Sequence, residues 1–255
     1  MRITTWNVNS IRARENRVLN WIDQHQPDVL CLQELKCEEE QFPFDGFDQL
    51  GYEVSLLGQK SYNGVAIASP SFPDSVEERI PWPDDADARG IASTFDDLTV
   101  ATVYVPNGRQ VGHDHYHYKL EWLERLLGWL ERSASPDQPL VICGDFNVAP
   151  DDRDLFDPGA WHEQNLATTA ERERLQALLD WGLHDALRVL TDEAEQYTWW
   201  DFLTDGFLHN RGLRIDLHLI TQPLVERLEA VEIDTEERAG EKPSDHAPVT
   251  LVLRD

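Results

Sequence analysis

The sequence has few cysteines and no long hydrophobic run. Only three of its 255 residues are cysteine, and their spacing suits neither a disulfide framework nor a zinc site. Cys31 and Cys143 lie in apolar, strand-like runs, which predicts buried thiols. No apolar stretch approaches the roughly 20 residues that cross a bilayer, and the start, "MRITTWNVNS", lacks the features of a secretory signal. We therefore expect a protein of the reducing cytoplasm with no membrane partner.

Basic residues are also scarce. The chain has 22 Lys and Arg against 48 Asp and Glu, a formal net charge of −26. Such a charge normally argues against a nucleic-acid partner. It is typical of a strongly solvated surface in a salty cytoplasm, where the Debye length is ~3 Å at 1 M salt, or simply of an acidic protein. The charge alone leaves the function open.

Alternating apolar patterns indicate an α/β protein with much antiparallel pairing. Nine runs rich in β-branched residues predict strands: "RITTWNV", "DVLCLQ", "YEVSLL", "GVAIAS", "IASTF", "LTVATVYV", "PLVICG", "IDLHLIT" and "PVTLVL". Helical spacing predicts helices over 12–25, 117–132 and 168–182, and Thr168 and Gly182 are suitable caps for the last. With no repeat and no linker in view, we expect one domain over residues 1–255.

Polar side chains of chemically useful types repeatedly interrupt or end these apolar strands. Each alone is explained by turn chemistry, because Asn and Asp bond to nearby backbone. Their recurrence instead predicts a shared rim, where the strand ends of packed sheets converge. The residues concerned are Asn7, Asn9, Glu34, Tyr104, Asn107, Asp145, Asn147, Asp216, Asp245 and His246.

Several of these residues have specific chemical uses. Glu34 directly after a strand is either an exposed charge or a ligand for a hard cation such as Mg²⁺. Asp145 and Asn147, two residues apart, would point to one side and could orient a water. The adjacent Asp245 and His246 would point to opposite faces of an extended chain and so need separate partners. Asp216 is the best-placed carboxylate for His246, and Asp245 could join Glu34 around a metal or its water shell.

A resemblance to a known family is carried by eight segments in order: "TWNVNS", "LQELK", "YNGVAIAS", "VYVPNG", "GDFNVAP", "YTWWDF", "NRGLRIDLHLIT" and "KPSDHAP". Throughout its length the chain resembles exonuclease III-type apurinic/apyrimidinic endonucleases of the endonuclease/exonuclease/phosphatase superfamily. "GDFN" and "SDH" are shared across the superfamily, whereas "NRGLRID", "YTWWD" and "KPSDHAP" are closer to the DNA-repair branch. The resemblance implies a four-layer α/β sandwich, in which two packed mixed sheets are flanked by helices.

The resemblance also implies roles for individual residues in DNA hydrolysis that depends on Mg²⁺, with Mn²⁺ as a substitute. Asp145 would orient or deprotonate the attacking water. His246, paired with Asp216, would polarise the phosphate, and Asn147 would hold it. The implied metal residues are Asn7, Glu34 and Asp245; the catalytic ones are Tyr104, Asp145, Asn147, Asp216 and His246; the substrate-binding ones are Asn107, Arg109, Trp199, Arg211, Leu213 and Ile215.

Substrate binding by resemblance needs a pocket and a basic path. Trp199, Leu213 and Ile215 would line a pocket for a flipped abasic sugar, although some relatives have an aromatic where Leu213 stands. Because Trp199 and Trp200 alternate, one of the two should pack inward. Six cations in or beside the motif segments predict a local track for DNA phosphates: Lys36, Lys60, Lys242, Arg109, Arg211 and Arg214.

The expected function is base excision repair of double-stranded DNA, by cleavage 5′ to abasic sites, 3′–5′ exonuclease activity and trimming of 3′ ends. We expect a monomer that associates with the nucleoid through its substrate. One alternative is a related enzyme acting on inositol phosphates, sphingolipids or undamaged DNA, and another is a DNA-binding module without activity. The run "GHDHYHY" is interpreted as a loop entering a helix and not as a metal site, because no fourth ligand accompanies its three histidines.

Overall fold

Two six-stranded sheets form the centre of the computed structural model, which describes residues 1–254. The first sheet contains, in spatial order, β13 (Leu228–Ile233), β14 (Val249–Leu253), β1 (Arg2–Asn7), β2 (Val29–Gln33), β4 (Val65–Ser69) and β3 (Glu53–Leu57). The second contains β5 (Ser75–Glu78), β6 (Gly90–Phe95), β7 (Leu98–Tyr104), β8 (Leu140–Asp145), β12 (Asp216–Thr221) and β9 (Leu183–Asp185). A separate ribbon pairs β10 (Trp199–Trp200) with β11 (Gly212–Leu213).

Helices cover the outer face of each sheet. Against the first sheet lie α1 (Ile11–His25) and α2 (Phe44–Gln49), and against the second lie α3 (Asp114–Ser133) and α5 (Thr169–Trp181). Shorter helices are α4 (Pro158–Trp161), α6 (Ala186–Leu190) and α7 (Gln222–Val225). Within the described residues no helix combines the length and the apolar character that crossing a membrane requires.

Alternation along the central strands builds three apolar layers. In β2, Leu30 and Leu32 face α1, whereas Cys31 faces the second sheet and packs in the same layer as Cys143. A third layer joins the second sheet to α3 and α5. The molecule is therefore the predicted sandwich of helices, sheet, sheet and helices, and the predicted burial of both thiols is confirmed.

All nine predicted strands and all three predicted helices are present. Thr168 and Glu171 form a reciprocal capping box, and Gly182 ends α5 with a φ of 127°. His113 is the N-cap residue of α3, and its Nδ1 accepts a hydrogen bond from the His115 N–H at 3.0 Å. Five strands that the sequence patterns did not predict are β5, β9, β10, β11 and β13.

The strand directions bring the polar side chains to one rim. Each sheet has a central parallel pair, β1 with β2 and β7 with β8, flanked by antiparallel neighbours. The parallel strands end, and the antiparallel strands β12 and β14 begin, on the same side. Asp216 thus lies opposite Asp145 in the register, and the segment before β14 lies beside the end of β1.

Candidate active site

A pocket of about 720 Å³ opens at this rim. Ten of the fourteen predicted site residues line it: Glu34, Tyr104, Asn107, Arg109, Asp145, Asn147, Trp199, Ile215, Asp245 and His246. Asn7 and Asp216, each at most 1% exposed, lie behind the lining residues and hydrogen-bond to them. The predicted rim is therefore a single concave site.

His246 is held by the carboxylate predicted for it. Its Nδ1 lies 2.9 and 3.1 Å from the two oxygens of Asp216, and the Thr198 hydroxyl donates to Asp216 Oδ2 at 2.6 Å. Burial lowers the pKa of His246, but the charges of Asp216 and Asp145 outweigh it and raise the pKa to about 10. The ring is therefore a cation at neutral pH.

Asp145 is fixed by two donors. Its Oδ1 accepts from the Asn147 backbone N–H at 2.9 Å, and its Oδ2 accepts from the Asn7 amide at 2.9 Å. Burial, together with the negative charges of Asp216 and Glu34, raises the pKa of Asp145 to about 7 despite the nearby His246 cation. Asp145 can therefore exchange a proton near neutral pH.

Asp145 belongs to a group of three side chains that offers ligand atoms for a cation. One atom each of Glu34, Asp145 and His246 lies within 4.8 Å of the others. Because His246 is protonated, the available metal ligands are the carboxylate oxygens of Glu34 and Asp145, which suit a hard divalent ion. Asn7 turns its NH₂ group to Glu34 Oε1 at 2.9 Å, while its Oδ1 accepts from the Asn9 N–H. In this geometry the Asn7 amide nitrogen orients the carboxylates of both Glu34 and Asp145.

Asp245 faces the same pocket through a different network. Its Oδ1 accepts from Asn9 Nδ2 at 2.9 Å and its Oδ2 from the Trp199 indole at 3.0 Å. Burial would raise the pKa of Asp245, but the His246 charge and these hydrogen bonds bring it below its ordinary value. Asp245 is thus a carboxylate at the pocket wall, outside the tight group formed by Glu34, Asp145 and His246.

Uncharged donors complete the wall. The Asn107 amide donates to Asn147 Oδ1 at 2.9 Å, and Asn147 Nδ2 donates to the Val105 carbonyl at 3.0 Å. Burial and the charges of Glu34 and Asp145 raise the pKa of Tyr104 well above its usual value, so the phenol keeps its proton. Tyr104 can therefore donate a hydrogen bond into the pocket.

The structure does not bring every predicted residue to the pocket. Leu213 is 0% exposed and packs beneath Trp199 with Ile215, and Arg211 is exposed outside the pocket. Trp200 is the inward member of its pair, as predicted, at 2% exposed.

The assignment of Arg214 to the phosphate track is wrong. Its side chain is 2% exposed, and it makes four contacts of 2.6–3.1 Å with the carboxylates of Asp154 and Asp185. Lys36 is also engaged, with its Nζ 2.7 Å from Glu34 Oε2 and 2.6 Å from Asn9 Oδ1. Alternation at 213–216 turns Arg214 away from the pocket, which Ile215 lines.

Part of the pocket wall was missed by sequence reasoning. It comes from residues 160–166, which form the end of α4 and the start of the loop to α5 and include Trp161, Asn165 and Leu166. Asn165 Nδ2 donates to the Asn107 carbonyl at 2.8 Å. The segment has no strand or helix periodicity and lies far along the chain from the other site residues, so only its aromatic residue amid polar ones offered a signal.

Comparisons with known proteins agree with this architecture. A model of the endonuclease/exonuclease/phosphatase family matches residues 4–246. Exodeoxyribonuclease III of Haemophilus influenzae is 36% identical over 263 aligned residues, covering 98% of each chain. The DNA repair nuclease APEX1 of Danio rerio is 34% identical over 99% of this chain and 82% of its own length.

Solved structures give the same result. The 3′ phosphatase NExo from Neisseria, bound to product DNA hairpin, matches with a TM-score of 0.96 and 40% identity over the whole of both chains. An AP endonuclease from Archaeoglobus fulgidus matches with a TM-score of 0.95 and 36% identity over 99% of both chains. The likeness therefore includes every element that carries the pocket.

Proposed function

Because the chain belongs to the endonuclease/exonuclease/phosphatase family and is a hydrolytic nuclease acting on DNA, we propose that it is a Mg²⁺-dependent enzyme of base excision repair. It cleaves double-stranded DNA 5′ to abasic sites and also trims 3′ ends as a 3′–5′ exonuclease. It works as a monomer on the nucleoid. The observation that carries this proposal is the convergence of Glu34, Asp145 and the His246–Asp216 pair in one pocket.

Two structural neighbours support the range of substrates. One is described as an AP endonuclease, and another as a 3′–5′ exonuclease from Neisseria meningitidis, 40% identical over the whole chain. All these reactions can use the same chemistry, in which water attacks a phosphorus and the bond from that phosphorus to a sugar 3′ oxygen breaks. One site can therefore serve both internal abasic sites and 3′ ends.

Asp145 is placed to act on the water. Held at both oxygens by Asn7 and Asn147, its carboxylate has a fixed direction, so it can accept the proton of a water aligned with the phosphorus. The hydroxyl oxygen then bonds to phosphorus, and in the abasic-site reaction the bond to the 3′ oxygen of the preceding nucleotide breaks.

His246 and Tyr104 are placed to stabilise the phosphate. The His246 cation, fixed by Asp216, presents Nε2 near Asp145, and the Tyr104 phenol remains a donor. Asn147 belongs to the same wall. Fixed donors aimed at developing negative charge need no reorganisation during the reaction and so lower its barrier.

Glu34 would be the principal ligand of the metal ion, with Asn7 and Asp245 beside it, which leaves Asp145 to act on the water. A bound Mg²⁺ supplies positive charge to the phosphoryl and leaving oxygens. Lys36, paired with Glu34 at 2.7 Å, fixes the direction of that carboxylate from the outer side. Mn²⁺ has similar oxygen preferences and should substitute.

The apolar part of the pocket suits a sugar that has lost its base. Trp199 and Ile215 line it beside the acids, and Leu213 supports them from beneath. An abasic nucleotide leaves the helical stack at low cost because no base has to be unstacked. Exposed Arg109 at the pocket edge is positioned for a neighbouring phosphate.

The test is cleavage of a labelled duplex containing one abasic analogue, beside a matched intact duplex and a duplex with a 3′-phosphate. Each is incubated with Mg²⁺, Mn²⁺ or EDTA over a salt series. We expect incision 5′ to the lesion and removal of the 3′-phosphate with either metal, and neither with EDTA. Glu34→Gln should abolish both reactions, whereas the control Glu131→Gln, on the exposed surface of α3, should leave them unchanged.

Two results would contradict the proposal. One is no incision at the abasic analogue at any salt concentration by folded protein. The other is equal cutting of the intact duplex at internal positions. The first result would make inositol phosphates and phospholipids the next substrates to assay, whereas the second would favour a nuclease that acts on undamaged DNA.

A further inference from the structure

A fully buried lysine lies behind the pocket. Lys119, on α3, is 0% exposed, and it is one of only four lysines in the chain. Lysine is almost never fully buried unless its charge is paired. Nothing in the proposed mechanism uses this residue.

The ammonium of Lys119 has three hydrogen-bond acceptors for its three donors. They are the backbone carbonyl of Asn147 at 2.5 Å, the backbone carbonyl of Asn107 at 3.3 Å, and the carboxylate of Glu171. Two of the three are carbonyls of residues that line the pocket. The ammonium of Lys119 therefore contacts two loops of the pocket as well as its counter-ion, Glu171.

Those carbonyls belong to loops that meet at the reacting groups. The Asn147 N–H donates to Asp145, and Asn147 Oδ1 accepts from the Asn107 side chain. Asn147 has a φ of +50°, a left-handed conformation that asparagine adopts more readily than most residues but that still needs surrounding contacts to hold it. Gly108 packs so closely that a Cβ atom there would lie 3.2 Å from Lys119 Cδ.

Glu171 anchors the lysine to a rigid element. Its Oε1 also accepts from the Leu166 N–H at 3.1 Å, and its Oε2 accepts from the Thr168 N–H and hydroxyl at 2.9 and 2.8 Å. These bonds form the start of α5. Since a buried ion pair often stabilises no better than apolar residues of similar volume, stability alone does not explain its presence.

We propose that Lys119, supported by Glu171, is a positioning residue for hydrolysis. Its ammonium holds the Asn107 and Asn147 loops together, so that Asn147 keeps Asp145 aligned for the water. This inference rests on the proposed roles of Asp145 and the two asparagines. It predicts a loss mainly in kcat, because the alignment of Asp145 acts on the chemical step, whereas Asn107 is only one of several residues that contact the substrate.

The test compares Lys119→Met, Glu171→Gln and the double variant, with Arg132→Met, exposed on the same helix, as the control. Lys119→Met leaves the buried Glu171 charge unpaired, so its Tm should fall most. In the double variant both charges are gone and glutamine can still complete the capping box. Its Tm should recover most of that loss, whereas its kcat should stay about 10- to 100-fold below wild type, as expected for misplaced reacting groups.

The KM for DNA should change by a smaller factor than kcat in the double variant. Glu171→Gln alone should keep most of the activity because Lys119 still reaches both carbonyls. Recovery of kcat together with Tm in the double variant would overturn the inference and leave Lys119 with a structural role only. The variants are assayed on whichever DNA substrate the wild type cleaves, abasic or 3′-blocked. Failure of wild type on the abasic duplex therefore counts against the proposed function and not against this inference.

Discussion

Arg214→Met should destabilise the protein strongly while leaving DNA binding intact. Arg214 is 2% exposed and bridges Asp154 and Asp185, which are also buried. In this variant Arg188 still forms an ion pair with Asp154. Among residues 1–254, however, Arg214 is the only cation paired with Asp185. Removing one partner of a buried pair costs about 3–5 kcal/mol. At roughly 2–4 °C per kcal/mol for a chain near this size, the Tm should fall by about 6–20 °C.

Thermal unfolding followed by circular dichroism measures this change, and Arg211→Met is the matched control. Arg211 is exposed three positions away, so its loss should alter the unfolding free energy by less than about 0.5 kcal/mol. DNA affinity is measured by fluorescence anisotropy in EDTA at low temperature, where both variants are folded. Arg214→Met should bind as wild type does. A Tm within about 2 °C of wild type, combined with weakened DNA binding, would refute the reasoning, because it would place the guanidinium on the DNA.

Two further predictions concern the pocket. Trp199→Phe keeps an apolar ring but loses the 3.0 Å hydrogen bond to Asp245. Because a hydrogen bond to a charged group contributes about 1.5–3 kcal/mol, steady-state kinetics should show a kcat/KM about 10- to 100-fold lower. An unchanged kcat/KM would refute the link to Asp245. DNA affinity should depend on salt less steeply than for a basic homologue, with a log–log slope no steeper than about −3.6 if Lys60, Arg109, Arg211 and Lys242 each contact one phosphate. A steeper slope in an anisotropy titration would show that other cations take part.

The central strands could be predicted because their apolar runs are long and their ends are marked by Gly, Pro, Asn or Asp. The missed strands lack these features. β13 (Leu228–Ile233) is at a sheet edge and contains two exposed glutamates and an alanine, residue types that are depleted in strands. The ribbon of β10 and β11 has only two residues per strand, too few for a period to show. Short and edge strands depend on tertiary contacts that a local pattern does not contain.

Within the site, residue types were predictable and partners less so. The pairing of His246 with Asp216 followed from the need of a buried imidazole for a carboxylate, and the contact is present. The hydrogen-bond partners of Asp245 could not be predicted from the sequence, because Asn9 and Trp199 lie 236 and 46 residues away along the chain. Lys119 was unpredictable for the same reason, since its acceptors are backbone carbonyls, which have no sequence signature.

The acidic composition does not exclude a DNA substrate, because several cations lie in or behind the walls of the pocket. Lys119 and Arg214 are buried against carboxylates, Lys36 is paired with Glu34, and His246 is held as a cation by Asp216. Each of these cations is paired with a buried or half-buried carboxylate, and short-range pairs of this kind are little screened by salt. The remaining surface is free to be acidic as long as a few cations line the DNA path. Net charge therefore describes the solvated surface, while function depends on where the few cations are placed.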